Sequence, residues 1–235
     1  MKVPWIIHAG AAAQVLPVAA AGVWRRRLSA PRRWILGWCG FLMATTLVVL
    51  WLARHNRNNH WLTYLSTPIA GGIALWSLSL WQTSAVAKLA FRLLVPLLGV
   101  TWAALLLIEN TKTFSLVAEP FAGLLVLGGA IYTLVTNTFR ETGTLHQFDW
   151  LWIGLGLALY SGLGVALPPT AHWLLARHPE LVVSAYKVRA WFEIAAFLAI
   201  ARGMTCPIAA TQSGGSFSPA SSRLRSPLPV SSSRS

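Results

Sequence analysis

The chain is short of charge, and acid is scarcest of all: 11% of its 235 residues are charged, with 6 Asp and Glu against 19 Lys and Arg. A water-soluble domain carries roughly a quarter of its residues charged, so a soluble globular protein is excluded. Cysteine is nearly absent too, with 2 residues in all, Cys39 and Cys206. They are not spaced as a metal pair, and both fall at or near the side where thiols stay reduced, so neither a disulfide nor a metal centre is expected. Catalytic signatures are also missing. No His-Glu-x-x-His occurs, and Tyr160-Ser161-Gly162 lacks the glycine two residues before the serine that a nucleophile elbow requires. Gly71-Gly72 sits inside an apolar run, which is no place for a phosphate loop. The chain reads as non-enzymatic, and its residues indicate no cofactor.

What the sequence does have is apolar length. Hydrophobic residues make up 55% of it, and 13 are Trp. A bilayer core takes about 20 apolar residues per helix. Such runs fall at residues 3–24, 34–53, 61–81, 93–108, 121–136, 150–167 and 181–201. They predict an all-α, polytopic transmembrane bundle of about seven helices over residues 1–203. The fourth and fifth runs are short, and the count becomes six if one of them is re-entrant. The first run is followed, not preceded, by Arg25, Arg26 and Arg27, so it reads as an anchor and not as a cleaved leader. Residues 204–235 are rich in Ser, Pro and Arg and too poor in apolar residues to build a core. This tail is expected to be disordered unless a partner holds it.

The net charge of +13 belongs at membrane faces in so apolar a chain, and a nucleic-acid partner is not expected. With the N-terminus outside, the cytoplasmic segments hold Arg25, Arg26, Arg27, Arg32, Arg33, Lys88, Arg92, Arg140, Arg202, Arg223, Arg225 and Arg234. The outer side holds Lys2, Arg54, Arg57, Lys112, Arg177, Lys187 and Arg189. Because cytoplasmic loops retain positive charge, the expected orientation is N-terminus outside and C-terminus cytoplasmic, in a bacterial inner (cytoplasmic) membrane. Tryptophan prefers the headgroup level. Trp5 and Trp24, Trp34, Trp38 and Trp51, Trp61 and Trp81, and Trp150 with Trp152 all stand at span ends, where they read as interfacial anchors. Trp76, Trp102 and Trp191 lie deeper and read as packing residues.

Two stretches stand out as candidate contact or binding sites. Gly154, Ala158, Gly162 and Ala166 recur at i+4 on the sixth span, a stripe of small residues that lets a helix of this chain, or of another subunit, approach closely. The seventh span carries Tyr186, Lys187, Arg189 and Glu193. A charge at the membrane centre costs about 2.5–3.5 kcal/mol on insertion scales, so such groups turn toward the bundle interior, a cavity or a partner. Arg189 and Glu193 are i,i+4 and Tyr186 shares their face, while Lys187 points elsewhere. Glu193 lies ~18 Å into the span at 1.5 Å per residue. This set is either an internal ion pair, a proton- or ligand-coupled site, or a pair left at the interface by a shifted boundary. A retinal Schiff base on Lys187 is disfavoured: the third span offers no carboxylate counter-ion, and Glu193 points about 120° away from Lys187.

The segment from Arg54 to His60 clusters His55, His60 and three Asn. The spacing from His55 to His60 does not put both rings on one helix face, so the segment is either a solvated turn or one edge of a binding site. His8, Gln14, Thr63, Ser66 and Thr67 would extend a polar lining toward Glu193 if their helices are neighbours. Two functions follow. The first is a non-enzymatic accessory or structural subunit of a larger membrane assembly, with the bilayer and other membrane subunits as partners. The alternative is a small-molecule or lipid-binding sensor or transporter using Tyr186, Arg189, Glu193, His55 and His60. The chain lacks the internal repeats of many secondary transporters, which ranks sensing above transport.

Overall fold

The computed structural model describes residues 4–23, 28–109, 115–141 and 144–207, and contains no strand among them. In chain order the helices are α1 (Trp5–Ala13), α2 (Val15–Val23), α3 (Ala30–Arg54), α4 (His60–Ser79), α5 (Ala85–Leu105), α6 (Ala118–Thr138), α7 (Asp149–Arg177) and α8 (Val182–Thr205). α1 and α2 are the halves of one 19-residue span. They part at Gln14 because Pro17 has no N–H for the carbonyl of Ala13 and its ring crowds that turn. Seven rods thus form an all-α bundle, and 5 of them are long and apolar enough to cross a membrane: the α1–α2 span, α3, α5, α6 and α7. The other two, α4 and α8, have comparable lengths of 20 and 24 residues, but carry polar side chains that turn toward the bundle interior.

Several helices outrun the apolar runs that announce them. α5 begins at Ala85 and not at 93, so Lys88 and Arg92 belong to its first turns, and Arg92 lies 5.0 Å over the ring of Trp76. α6 and α5 are each 21 residues long, which removes the ground for a re-entrant segment. α7 continues through Pro168 and Pro169 to Arg177, and α8 runs on to Thr205, into the segment read as tail. Hydropathy ends early at these places because long basic side chains and prolines are tolerated inside a helix that neighbours support. The tail from residue 208 on, Trp24 to Arg27 and Lys112 lie outside the described residues.

Neighbours in the bundle are α7 on both α6 and α8, α4 on α3, α5 and α6, and the broken first span on α8, with α2 also touching α3. The closest approach of α7 to α8 runs through two glycines. A Cβ added at Gly156 would stand 2.6 Å from the carbonyl oxygen of Ala196, and one at Gly203 would stand 2.5 Å from Ile153 Cγ1. Along the Gly154–Ala166 stripe the surroundings change from residue to residue. Gly154 faces Leu134 of α6, Ala158 is half-buried, Gly162 has nothing within 4 Å of an added Cβ, and Ala166 is exposed.

The two ends of the bundle are tied differently. At one end, Arg32 is 3% exposed; its Nε donates to Asp149 Oδ2 at 2.7 Å and its Nη1 to the carbonyl of Cys206 at 2.8 Å. This joins the starts of α3 and α7 to the end of α8, and it puts the Asp149 carboxylate in the first turn of α7, where the helix dipole favours an anion. Gln82 Nε2 also donates to Thr133 Oγ1 at 2.8 Å, linking the end of α4 to α6. At the opposite end, Trp102 Nε1 donates to the carbonyl of Tyr64 at 2.8 Å. Glu109 accepts from Ser115 Oγ at 3.1 Å and from the N–H groups of Leu116 at 2.9 Å and Val117 at 2.6 Å, capping the start of α6.

Packing is uneven along the bundle axis. Ile35, Leu75, Leu78, Ile153, Leu157 and Ile200 are fully buried and fill the Arg32 half. Trp38, Trp81 and Trp150 belong to this buried set, so these three rings are core residues and not interfacial anchors. Trp38 meets Tyr160 edge-on with centroids 5.2 Å apart and lies 6.1 Å from Phe197. Above this aromatic cluster the bundle opens.

Candidate functional site

Between α3, α4, α6, α7 and α8, the half of the bundle toward His60 holds a cavity of about 490 Å³, a size that suits a small organic molecule. Trp38, Leu42, Ala74, Val126 and Tyr160 form its apolar and aromatic floor, and Asn59, His60 and Ser115 stand where it reaches the loops. Thr45 and Thr46 of α3, Thr63, Ser66 and Thr67 of α4, Glu119 of α6, Ser161 of α7, and Tyr186 and Arg189 of α8 give it a polar waist. α4 supplies much of this lining, and α8 adds Tyr186 and Arg189.

Four hydroxyls of the waist have a defined polarity. Thr45 Oγ1 donates to the carbonyl of Phe41 at 2.9 Å, Thr46 Oγ1 to Gln14 Oε1 at 3.1 Å, and Ser66 Oγ and Thr67 Oγ1 to the carbonyl of Thr63 at 3.2 and 2.7 Å. A hydroxyl has one proton and two lone pairs. With the proton used on a carbonyl oxygen, of the backbone or of Gln14, these four groups offer only lone pairs to the cavity from the α3–α4 wall.

Arg189 stands across from that wall. Its Nε donates to Glu193 Oε1 at 2.7 Å, as the i,i+4 spacing predicts, and the two charges compensate each other. Glu193 itself lies behind Arg189, outside the lining and against the first span: a Cβ added at Gly10 would stand 3.1 Å from Glu193 Oε2. Tyr186 joins Arg189 in the cavity, whereas Lys187 is exposed. The two histidines are separated. His60 is at the mouth, and His55 is exposed, with Nδ1 2.8 Å from the carbonyl of Trp51. His8 is exposed, and Gln14 is buried as the acceptor of Thr46, outside the lining.

Sequence reasoning missed Glu119. It occupies the first turn of α6, and its own N–H donates to Ser115 Oγ at 2.9 Å. Glu119 is half-buried and lines the cavity, where the Arg189 charge acts on its carboxylate, and that carboxylate has no hydrogen-bond or ion-pair partner among the described residues. Most of the other acids in this acid-poor chain are engaged. Glu109 caps α6, Asp149 pairs with Arg32, Glu193 with Arg189, and Glu180 lies 3.3 Å from His178, while Glu141 is exposed at a helix end. The available signal was scarcity itself, since an acid at the edge of an apolar run is costly to place. Trp38, Tyr160 and Ser161 were missed for a different reason: they converge only through tertiary packing.

Among the described residues, no three His, Cys, Asp or Glu side chains gather closely enough to hold a metal ion. Cys39 and Cys206 are free and buried. The chain matches no protein-family model, no curated protein and no solved structure.

Proposed function

We propose that this chain is a small-molecule-binding membrane protein, acting as a receptor or sensor, with the cavity between α3, α4, α6, α7 and α8 as its ligand site. The observation that carries this reading is Glu119, whose carboxylate has no hydrogen-bond or ion-pair partner among the described residues and lines a cavity of about 490 Å³. Leaving a buried charge uncompensated costs stability, and a ligand that meets it recovers that cost. The solid packing beneath Trp38 gives the cavity a closed floor, which favours binding over passage.

The positive-inside bias supports an orientation with the N-terminus and the His60 end outside, so that the cavity opens to the exterior. An accessory-subunit role rests on the small-residue stripe and the tail. Gly162 of that stripe faces open space, and the tail lies outside the described residues, so the cavity reading takes precedence.

Gly164 gives a clean test. It lines the cavity, and an added Cβ there meets nothing within 4 Å, so the side chain of Gly164→Leu starts in open space and takes up cavity volume. Native mass spectrometry of the full chain, extracted mildly from its own membrane, is expected to show a small-molecule adduct on the wild type and none on Gly164→Leu. Equal adducts on both, or none on the wild type, would refute the reading.

A further inference from the structure

The polarity of the lining specifies the ligand further, on the premise that the cavity is a ligand site. We infer that the cavity takes a small molecule bearing an ammonium group, with Glu119 holding the positive charge and an apolar or aromatic body resting on the floor. Three independent features converge on this class.

The first is charge. Arg189 is paired with Glu193 at 2.7 Å, and its charge also acts on Glu119, so two carboxylates share one guanidinium and the pair count among the described residues leaves one negative charge in excess at the waist. A cationic ligand neutralises it, a neutral one leaves it buried and unmet, and an anionic one adds repulsion.

The second is hydrogen-bond direction. Thr45, Thr46, Ser66 and Thr67 spend their protons on Phe41, Gln14 and Thr63 and turn lone pairs inward. A wall of acceptors beside a carboxylate wants a group that only donates. An ammonium is such a group, with up to three N–H donors and no lone pair.

The third is the floor. Trp38 and Tyr160 add aromatic rings beneath the acceptor wall, and Leu42, Ala74 and Val126 complete an apolar base. Cations are attracted to aromatic faces, and an apolar ligand body gains burial there. On the opposite side, Arg189 bonds Glu193 through Nε, and its terminal nitrogens make no hydrogen bond among the described residues, which leaves donors for a hydroxyl or carboxylate at the other end of the ligand.

The test uses the full chain in mild detergent at neutral pH, with 2-phenylethylamine as the probe and its uncharged counterpart 2-phenylethanol as the comparison, read by thermal unfolding. Binding to the folded state raises Tm with ligand concentration. The expected result is a saturable rise with the amine, little or none with the alcohol at the same concentration, and loss of the amine effect in Glu119→Gln. If Glu119→Gln fails to fold, Thr67→Val takes its place; it removes one acceptor and is expected to weaken amine binding about tenfold, as for a hydrogen bond to a charged group. An alcohol shift equal to that of the amine, an amine shift that survives Glu119→Gln or Thr67→Val, or no shift with either probe would each overturn the ammonium assignment. The small-molecule reading stands or falls separately, on the adduct lost in Gly164→Leu.

Discussion

The indole Nε1 of Trp102 sits 2.8 Å from the carbonyl oxygen of Tyr64, four residues before Pro68. Proline has no N–H to return to that carbonyl, so the indole of α5 supplies the donor that α4 lacks. This bond holds the part of α4 before Pro68 that carries Thr63, Ser66 and Thr67 into the cavity wall. Trp102→Phe should lower stability by about 1–2 kcal/mol, the cost of leaving a buried carbonyl unmet. Pro68→Ala restores the intrahelical donor, so the same tryptophan substitution made in a Pro68→Ala background should cost less. Unfolding of all four proteins as a double-mutant cycle checks this. Equal costs in both backgrounds would mean that the indole bond does not stand in for the missing one.

Arg32 and Asp149 tie three helices together at the opposite end. Asp149→Asn leaves the buried Arg32 without its carboxylate and should destabilise by roughly 3–5 kcal/mol, Arg32→Met leaves a partly exposed carboxylate and should cost less, and replacing both with apolar residues should cost less than Asp149→Asn alone. Because Arg32 also bonds the carbonyl of Cys206, Arg32→Met should speed proteolysis just beyond α8. Limited proteolysis with mass mapping reads that effect.

The small residues of α7 are not equivalent. An added methyl at Gly156 runs into the Ala196 carbonyl, whereas at Gly162 it meets nothing within 4 Å. Gly156→Ala should therefore force α7 and α8 apart at a cost of about 1–3 kcal/mol, and Gly162→Ala should be neutral or slightly stabilising through helix propensity. Parallel unfolding of the two variants decides it.

Burial raises the Cys206 thiol above the value of an exposed cysteine, and the nearby Arg202 and Arg32 charges only partly offset this. A raised pKa means less thiolate at a given pH below it, and the thiolate is the reactive form. Maleimide labelling of Cys206 in the folded chain should therefore be slow at pH 7 and still climbing about tenfold per pH unit where an exposed thiol has already levelled off. Unfolding should abolish the difference.

The orientation proposed for the cavity is testable in whole cells. In a chain with Cys39 and Cys206 replaced, Arg57→Cys lies on the exposed loop before α4, and Glu141→Cys is exposed at the opposite end. A membrane-impermeant maleimide should label the first and spare the second until the cells are opened. The reverse pattern would put the cavity mouth in the cytoplasm.

The fold was legible because apolar length is a local property. Each run announced a rod, and only the ends drifted, at Lys88 and Arg92, at Pro168-Pro169, and at Gln14, where charge and proline sit inside helices. The Arg189–Glu193 pair was legible for the same reason, since i,i+4 is set by helix geometry alone. The cavity was not. Glu119 fell just outside its apolar run, and its meeting with Arg189, Tyr160 and the α4 hydroxyls depends on which helices become neighbours. Trp38 and Trp150 were placed at the interface by their position along a span, and rotation about the helix axis carried them into the core instead.

The most direct measurement is a side-chain-resolution density map of the full chain extracted with its native lipids. The account predicts non-protein density inside the cavity, above Trp38 and Tyr160, within hydrogen-bonding distance of the Glu119 carboxylate. A Glu119 carboxylate paired with a basic side chain of the protein, or α3 and α4 closed together with no space between them, would contradict it.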